Sequence, residues 1–240
     1  MREENVGMIR LLLIVVCALC LNACDLMDDT PDYRYRLTVE VDTPDGVKTG
    51  SSVIEVDTAA VRSASNPASQ AVSFKIRGEA VTVDLPNGRT LFALLRSPSD
   101  VQWAARVMLQ LAPKHSGEPF LQQFDNIKEL RGPITLPRTF PAQAHLEERS
   151  AYPLLVTFGD ITDSTGVVEV DPDNLSSSLG KGMSLRRITV ELTEDPVSWA
   201  LGERLPWLSE YPEPSLDPGH GPMDFSLPAT LRHSDFRQGY

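Results

Sequence analysis

Tyr33 to Asp42 alternates without a break. Tyr33, Tyr35, Leu37, Val39 and Val41 occupy one set of positions, and Arg34, Arg36, Thr38, Glu40 and Asp42 occupy the other. Successive side chains of a strand point to opposite faces, so this period of two predicts a strand with one buried and one wet face. A strand of that kind belongs in an antiparallel sheet. Pro44-Asp45-Gly46 follows as a turn: Pro presets φ, Asp bonds locally and Gly accepts positive φ. Val47–Val56 then completes a hairpin. Thr58–Gln70, rich in Ala and Ser, reads as a loop. Ala71–Gly78 and Glu79–Leu85 are strand-like, and Pro86-Asn87-Gly88 repeats the turn chemistry before Arg89–Leu95. Residues 33–96 thus predict an antiparallel unit of about five strands.

Ser97-Pro98-Ser99-Asp100 has the composition of a helix start, and Val101, Ala104, Ala105, Met108 and Leu111 recur at helical spacing up to Pro113. Phe120, Phe124, Ile127 and Leu130 suggest a second short helix ending at Gly132-Pro133. Leu154–Phe158, Val167–Val170 and Leu185–Thr193 read as further strands, Leu175–Leu179 as a helix capped by Asp173, and Ala200–Leu208 as a helical turn or two. From Ser209 prolines crowd at 212, 214, 218, 222 and 228 among few aliphatic residues, which predicts an extended or disordered tail. Met223, Phe225 and Leu227 alternate within it and suggest a docking strand. The expected fold class is α+β and β-rich, with an antiparallel, sandwich-like core, one or two short helices and a flexible C-terminal tail. The globular domain would span residues 33–208, with sublobes 33–96 and 97–208, followed by the Pro-rich tail 209–240.

Upstream lies an address. Leu11–Leu21 is an unbroken apolar run of 11 residues, whereas a spanning helix needs about 20. The length matches the core of a signal peptide. Leu21-Asn22-Ala23-Cys24 resembles the lipobox of bacterial lipoproteins, with Leu at −3, a small residue at −1 and Cys at +1. Cys17 and Cys20 are poorer sites, because Val16 and Leu19 precede them. The resemblance implies a signal peptide over residues 1–23, cleavage before Cys24, lipidation of that cysteine and a periplasmic domain on an acidic tether, residues 24–32. Asp25, directly after the cysteine, resembles the enterobacterial inner-membrane retention signal. Arg2 and Arg10 balance Glu3 and Glu4, which is unusual before an apolar core; a start at Met8 rather than Met1 would leave a basic one. With Cys17 and Cys20 removed and Cys24 acylated, the domain would hold neither thiol nor disulfide.

The net charge of −11 lies wholly after residue 23. Nucleic acid is therefore not an expected partner, and anionic headgroups repel the domain on average. Catalytic motifs are absent. His115, His145, His220 and His233 are scattered, without the i, i+4 spacing of a helical metal site. Asp171-Pro172-Asp173-Asn174 lacks the Gly and distal Glu of a calcium loop. Gly180-Lys181-Gly182-Met183-Ser184 precedes a strand, so it reads as a turn and not a phosphate loop. Lys181, Arg186 and Arg187 form a local basic cluster, with Arg186 and Arg187 expected on opposite strand faces. No Gly-x-Ser-x-Gly elbow occurs; Arg149-Ser150 and Asp160–Ser164 are the loops that could host a triad assembled by folding. No catalytic, metal or cofactor residue is assigned, and Cys24 is the one site residue.

Tyr35–Val41, Thr43–Gly46, Gly50–Val56, Gly78–Leu95, Pro153–Phe158, Arg187–Val190 and Arg204–Leu208 together resemble an uncharacterised family of proteobacterial hypothetical proteins. The shared positions are strands, turns and packing residues, so the resemblance implies one unit over about residues 33–208 and carries over no functional residue. The expected function is that of a non-catalytic lipoprotein, held at the membrane through Cys24, that binds an envelope protein or ligand. A lipid-anchored envelope hydrolase, or an accessory subunit of a membrane complex, are the alternatives.

Overall fold

The computed structural model describes residues 30–62, 70–142, 147–208, 215–219 and 221–239. The segment expected to be a signal peptide, with Met1 and Met8, and Cys24, Asp25, His145 and His220 lie outside them. Within them the chain is β-rich with antiparallel sheets and a few short helices, the α+β class expected. No helix among the described residues is long and apolar enough to cross a membrane.

The larger sheet has the order β12-β3-β2-β1-β11-β6. Its strands are β1 (Tyr33–Thr43), β2 (Gly46–Arg62), β3 (Gln70–Glu79), β6 (Ile134–Thr135), β11 (Ser184–Leu192) and β12 (Arg237–Gln238). The alternation of β1 is realised: Tyr35, Leu37, Val39 and Val41 are fully buried. Its polar face is closed by ion pairs, Arg34 to Glu55, Arg36 to Asp195, and Glu40 to Arg187.

The second sheet, β10-β9-β5-β4, joins β4 (Val81–Asp84), β5 (Thr90–Ala93), β9 (Leu155–Phe158) and β10 (Val167–Glu169). Only Ala80 separates β3 from β4, so the chain turns a corner there from one sheet into the other. The sheets approach closely at Gly50, where a Cβ would sit 1.9 Å from the Thr82 carbonyl oxygen. Gly50→Ala must push β4 off β2, and urea unfolding should register a loss of about 1–3 kcal/mol. Strands from residues 33–96 and 97–208 share both sheets, so 96/97 does not divide separate lobes.

Helix α1 (Trp103–Leu111) closes the same core. The Tyr33 and Tyr35 hydroxyls donate to the Ala105 and Ala104 carbonyls at 3.0 and 2.8 Å. The helix begins six residues after Ser97, because Ser97 and Asp100 spend their oxygens on turns: Ser97 Oγ accepts the Asp100 N–H at 3.0 Å, and Asp100 Oδ1 accepts that of Gln102 at 2.9 Å. Phe120–Glu129 is a 3₁₀ helix that buries Phe124 and Ile127. The expected loop from Thr58 is instead strand as far as Arg62, paired with Gln70–Phe74.

The smaller sheet is covered on its other face too. Phe92, Leu94, Val156 and Phe158 point away from the larger sheet into a second core with Leu201, Leu205, Leu216, Leu231 and Phe236. This corrects the expected disordered tail for residues 215–219 and 221–239. They carry α4 (Leu227–Thr230), α5 (His233–Phe236) and β12, after α2 (Leu175–Leu179) and α3 (Leu201–Arg204). The aliphatic residues are few but correctly placed, and Pro228 sits in the first turn of α4, where a missing N–H costs nothing. Met223, in a turn, and Phe225, outside regular structure, are 81% and 79% exposed. The strand of this segment is β12, and it pairs with the chain's own β3.

Candidate functional site

β7 (Thr139–Phe140) pairs with β8 (Arg149–Ser150) in a two-stranded ribbon that sets Thr139 opposite Ser150. The ribbon brings Arg138 and Ser150 to the rim of a recess of about 300 Å³, lined also by Tyr152, Leu154, Glu169 and Asp171. The Arg138 guanidinium carbon lies 5.3 Å from the centre of the Tyr152 ring, a cation–π contact. Its Nη2 reaches Asp173 Oδ2 at 3.1 Å and its Nη1 reaches Ser150 Oγ at 3.4 Å. Cation, ring and carboxylates converge on one small concavity, which suits the capture of a small polar ligand.

The same geometry is poorly arranged for nucleophilic catalysis. Ser150 Oγ donates to the Tyr152 carbonyl at 3.1 Å, so a main-chain oxygen holds its proton and no base does. Asp171 Oδ1 accepts the Asp173 N–H at 2.9 Å, while Asp173 pairs with Arg138. Asp173 therefore does not cap α2, which starts after Asn174. Among the described residues no group of three or more His, Cys, Asp or Glu side chains is placed to hold a metal ion.

Of the Asp160–Ser164 loop, Asp160 and Ile161 line a recess of about 410 Å³ with Arg89, Phe92 and Phe158. The Thr162 backbone N–H and hydroxyl bond to Asp160 Oδ1 at 2.9 and 2.7 Å and hold its carboxyl below the usual range. Ser164 Oγ donates to the Leu216 carbonyl at 2.9 Å, away from Asp160. Neither recess is lined by a histidine. His115 meets Glu129 at 3.3 Å, and His233 is buried against Trp207.

Arg186 and Arg187 do not take opposite faces. The β1–β11 register slips between Glu40 and Val41, leaving Arg186 as the bulged residue beside Arg187. Arg187 pairs with Glu40 at 2.7 Å and Arg186 with Asp42 at 3.3 Å, so the basic cluster serves the sheet. Gly180 and Gly182 take positive φ in the tight turn before β11, the turn that the sequence predicts there. Arg138 and Tyr152 are not singled out by any local pattern; only the Thr139–Ser150 pairing brings them together. Compared with known proteins, the chain matches no family model, no curated protein and no solved structure.

Proposed function

We propose that this is a cell-envelope lipoprotein, held on the periplasmic face of the inner membrane by acyl chains on Cys24, whose β-rich domain binds a ligand or partner without transforming it. The observation that carries this is Leu21-Asn22-Ala23-Cys24 closing an 11-residue apolar run, with a β domain beginning at Tyr33. All three cysteines lie at or before position 24, so the domain has no other thiol. Binding without catalysis is supported by the Arg138 recess, where cation, ring and carboxylates converge while the one serine is held by its own main chain.

Intact-mass spectrometry of the protein extracted from membranes tests the anchor. The expected product begins at Cys24 and carries the added mass of a diacylglyceryl group. Cys24→Ala should move the protein from the membrane fraction to the aqueous phase of a detergent partition. An unmodified Cys24, or a Cys24→Ala variant that stays with the membrane, overturns the anchor.

A further inference from the structure

The charges of the Arg138 recess select among ligand chemistries. A guanidinium offers carboxylates two parallel N–H pairs, one along its side (Nε and Nη2) and one at its tip (Nη1 and Nη2). Asp173 takes the side pair: Nε lies 3.2 Å and Nη2 3.1 Å from Asp173 Oδ2. The tip has one long contact among the described residues, Nη1 to Ser150 Oγ at 3.4 Å, and Ser150 is part of the recess wall. The Tyr152 ring, 5.3 Å from the guanidinium carbon, supports the cation from one side.

Two further carboxylates face the same space. The β9–β10 register sets Glu169 opposite Val156. The Val170 N–H donates to the Leu155 carbonyl at 2.8 Å, so the pairing runs on past the end of β10. Alternation then places Glu169 and Asp171 on the face that carries Tyr152 and Leu154, with the buried Val170 on the other. Among the described residues the Glu169 carboxylate meets no cation. Asp171 spends Oδ1 on the Asp173 N–H at 2.9 Å and keeps Oδ2. Pro98, Leu154 and Pro172 add an apolar wall.

The recess thus presents an unspent cationic fork and two acids with unspent oxygens. A purely anionic ligand would be repelled by Glu169 and Asp171. A purely cationic one would leave the fork unpaired and be repelled by it. We infer that the recess binds a small zwitterion, an α-amino acid with an apolar side chain. Its carboxylate lies on the tip of Arg138, its ammonium beside Glu169 and Asp171, and its side chain against the apolar wall. A volume of about 300 Å³ is at the low end for ligand sites and suits a free amino acid better than a peptide. This deepens the ligand-binding part of the proposal above, on which it rests, and is independent of the lipid anchor.

The test uses the full chain in detergent micelles, with saturation-transfer NMR on the ligand and dissociation constants from titration. The probes are leucine, N-acetyl-leucine (no ammonium), leucinamide (no carboxylate) and leucyl-leucine (charges farther apart). Leucine is expected to bind several-fold more tightly than each of the other three. Arg138→Gln should abolish its advantage over leucinamide, and Glu169→Gln should reduce its advantage over N-acetyl-leucine. Both residues are exposed, so urea midpoints close to wild type are expected and verify that the variants fold. Leucinamide or N-acetyl-leucine binding as tightly as leucine overturns the zwitterion and leaves a binding site standing. Tighter binding of leucyl-leucine overturns the free amino acid in favour of a peptide. Saturation transfer to none of the four probes overturns the inference as a whole. Leucine that is chemically converted in the same spectra overturns binding without transformation, whatever the affinities.

Discussion

Phe236→Ala is expected to destabilise the domain by about 3–5 kcal/mol, the cost of emptying a large aromatic site in a packed core. Phe236 is fully buried, with Trp207, Phe158 and Phe92 rings at 5.4, 6.0 and 6.3 Å. Its carbonyl accepts the Ala80 N–H at 2.7 Å, at the corner where the chain passes from one sheet to the other. Truncation therefore loosens the second core and the seam between the sheets together. Phe225→Ala is the matched control. It removes the same group eleven residues earlier, where the ring is 79% exposed, and should change stability by no more than about 0.5 kcal/mol. Urea midpoints for the two variants and the wild type decide the matter. Near-equal midpoints for the two variants would mean that residues 215–239 do not seal the sheet.

The contrast between Phe225 and Phe236 also shows where sequence reasoning stops. Local alternation reveals β1, since one face of that strand is wet and the pattern is written in its own residues. Pro-Asp-Gly and Pro-Asn-Gly mark hairpins for the same reason, because the turn chemistry is local. The C-terminal segment is different. Its prolines and sparse aliphatics resemble a disordered composition, and only the partner surface shows that Leu216, Leu231 and Phe236 are enough. One signal was present elsewhere: Leu91–Leu95 is an unbroken apolar run, the mark of a strand buried on both faces. A sheet that is apolar on both sides requires a second covering layer. The Arg138 recess was not legible at all, because its members come from residues 138, 150, 152, 169, 171 and 173 and meet only through a ribbon of two-residue strands. The bulge at Arg186 was equally hidden, since a one-residue slip reverses a face assignment without altering composition.

Glu79→Ala should also destabilise the domain, and its dependence on pH carries a definite sign. Glu79 is buried, and its carboxylate accepts the Ala200 and Leu201 N–H groups at 2.7 and 2.9 Å, securing the start of α3. Alanine leaves the buried Leu201 N–H without an acceptor, at about 1–3 kcal/mol, while the N–H of Ala200, an exposed residue, can bond to water. Relief from burying a charged carboxylate offsets part of this, so a net loss of about 1–2 kcal/mol is expected. Burial is the largest influence on the Glu79 carboxyl and pushes it above its ordinary value, against the pull of the Leu201 and Ala200 N–H groups and the Arg237 charge. A carboxyl raised in the native state binds its proton more tightly when folded. Its contribution to stability is therefore full below the unfolded value of about pH 4.3 and declines as pH rises through the folded one. Asp235 behaves alike, raised first by burial although the Arg232 N–H and Arg96 oppose the shift. Asp84, held below the usual range first by its hydrogen bond to Arg204, has the opposite trend and loses its contribution on acidification. The wild-type curve sums all such groups, but the difference between wild type and Glu79→Ala isolates one. That difference should be larger at the acid end of the folded range than at neutral pH. Urea titrations of both proteins across that range measure it, and a difference that instead grows toward neutral pH would show that the Glu79 carboxylate is stabilised, not strained, by its burial at the start of α3.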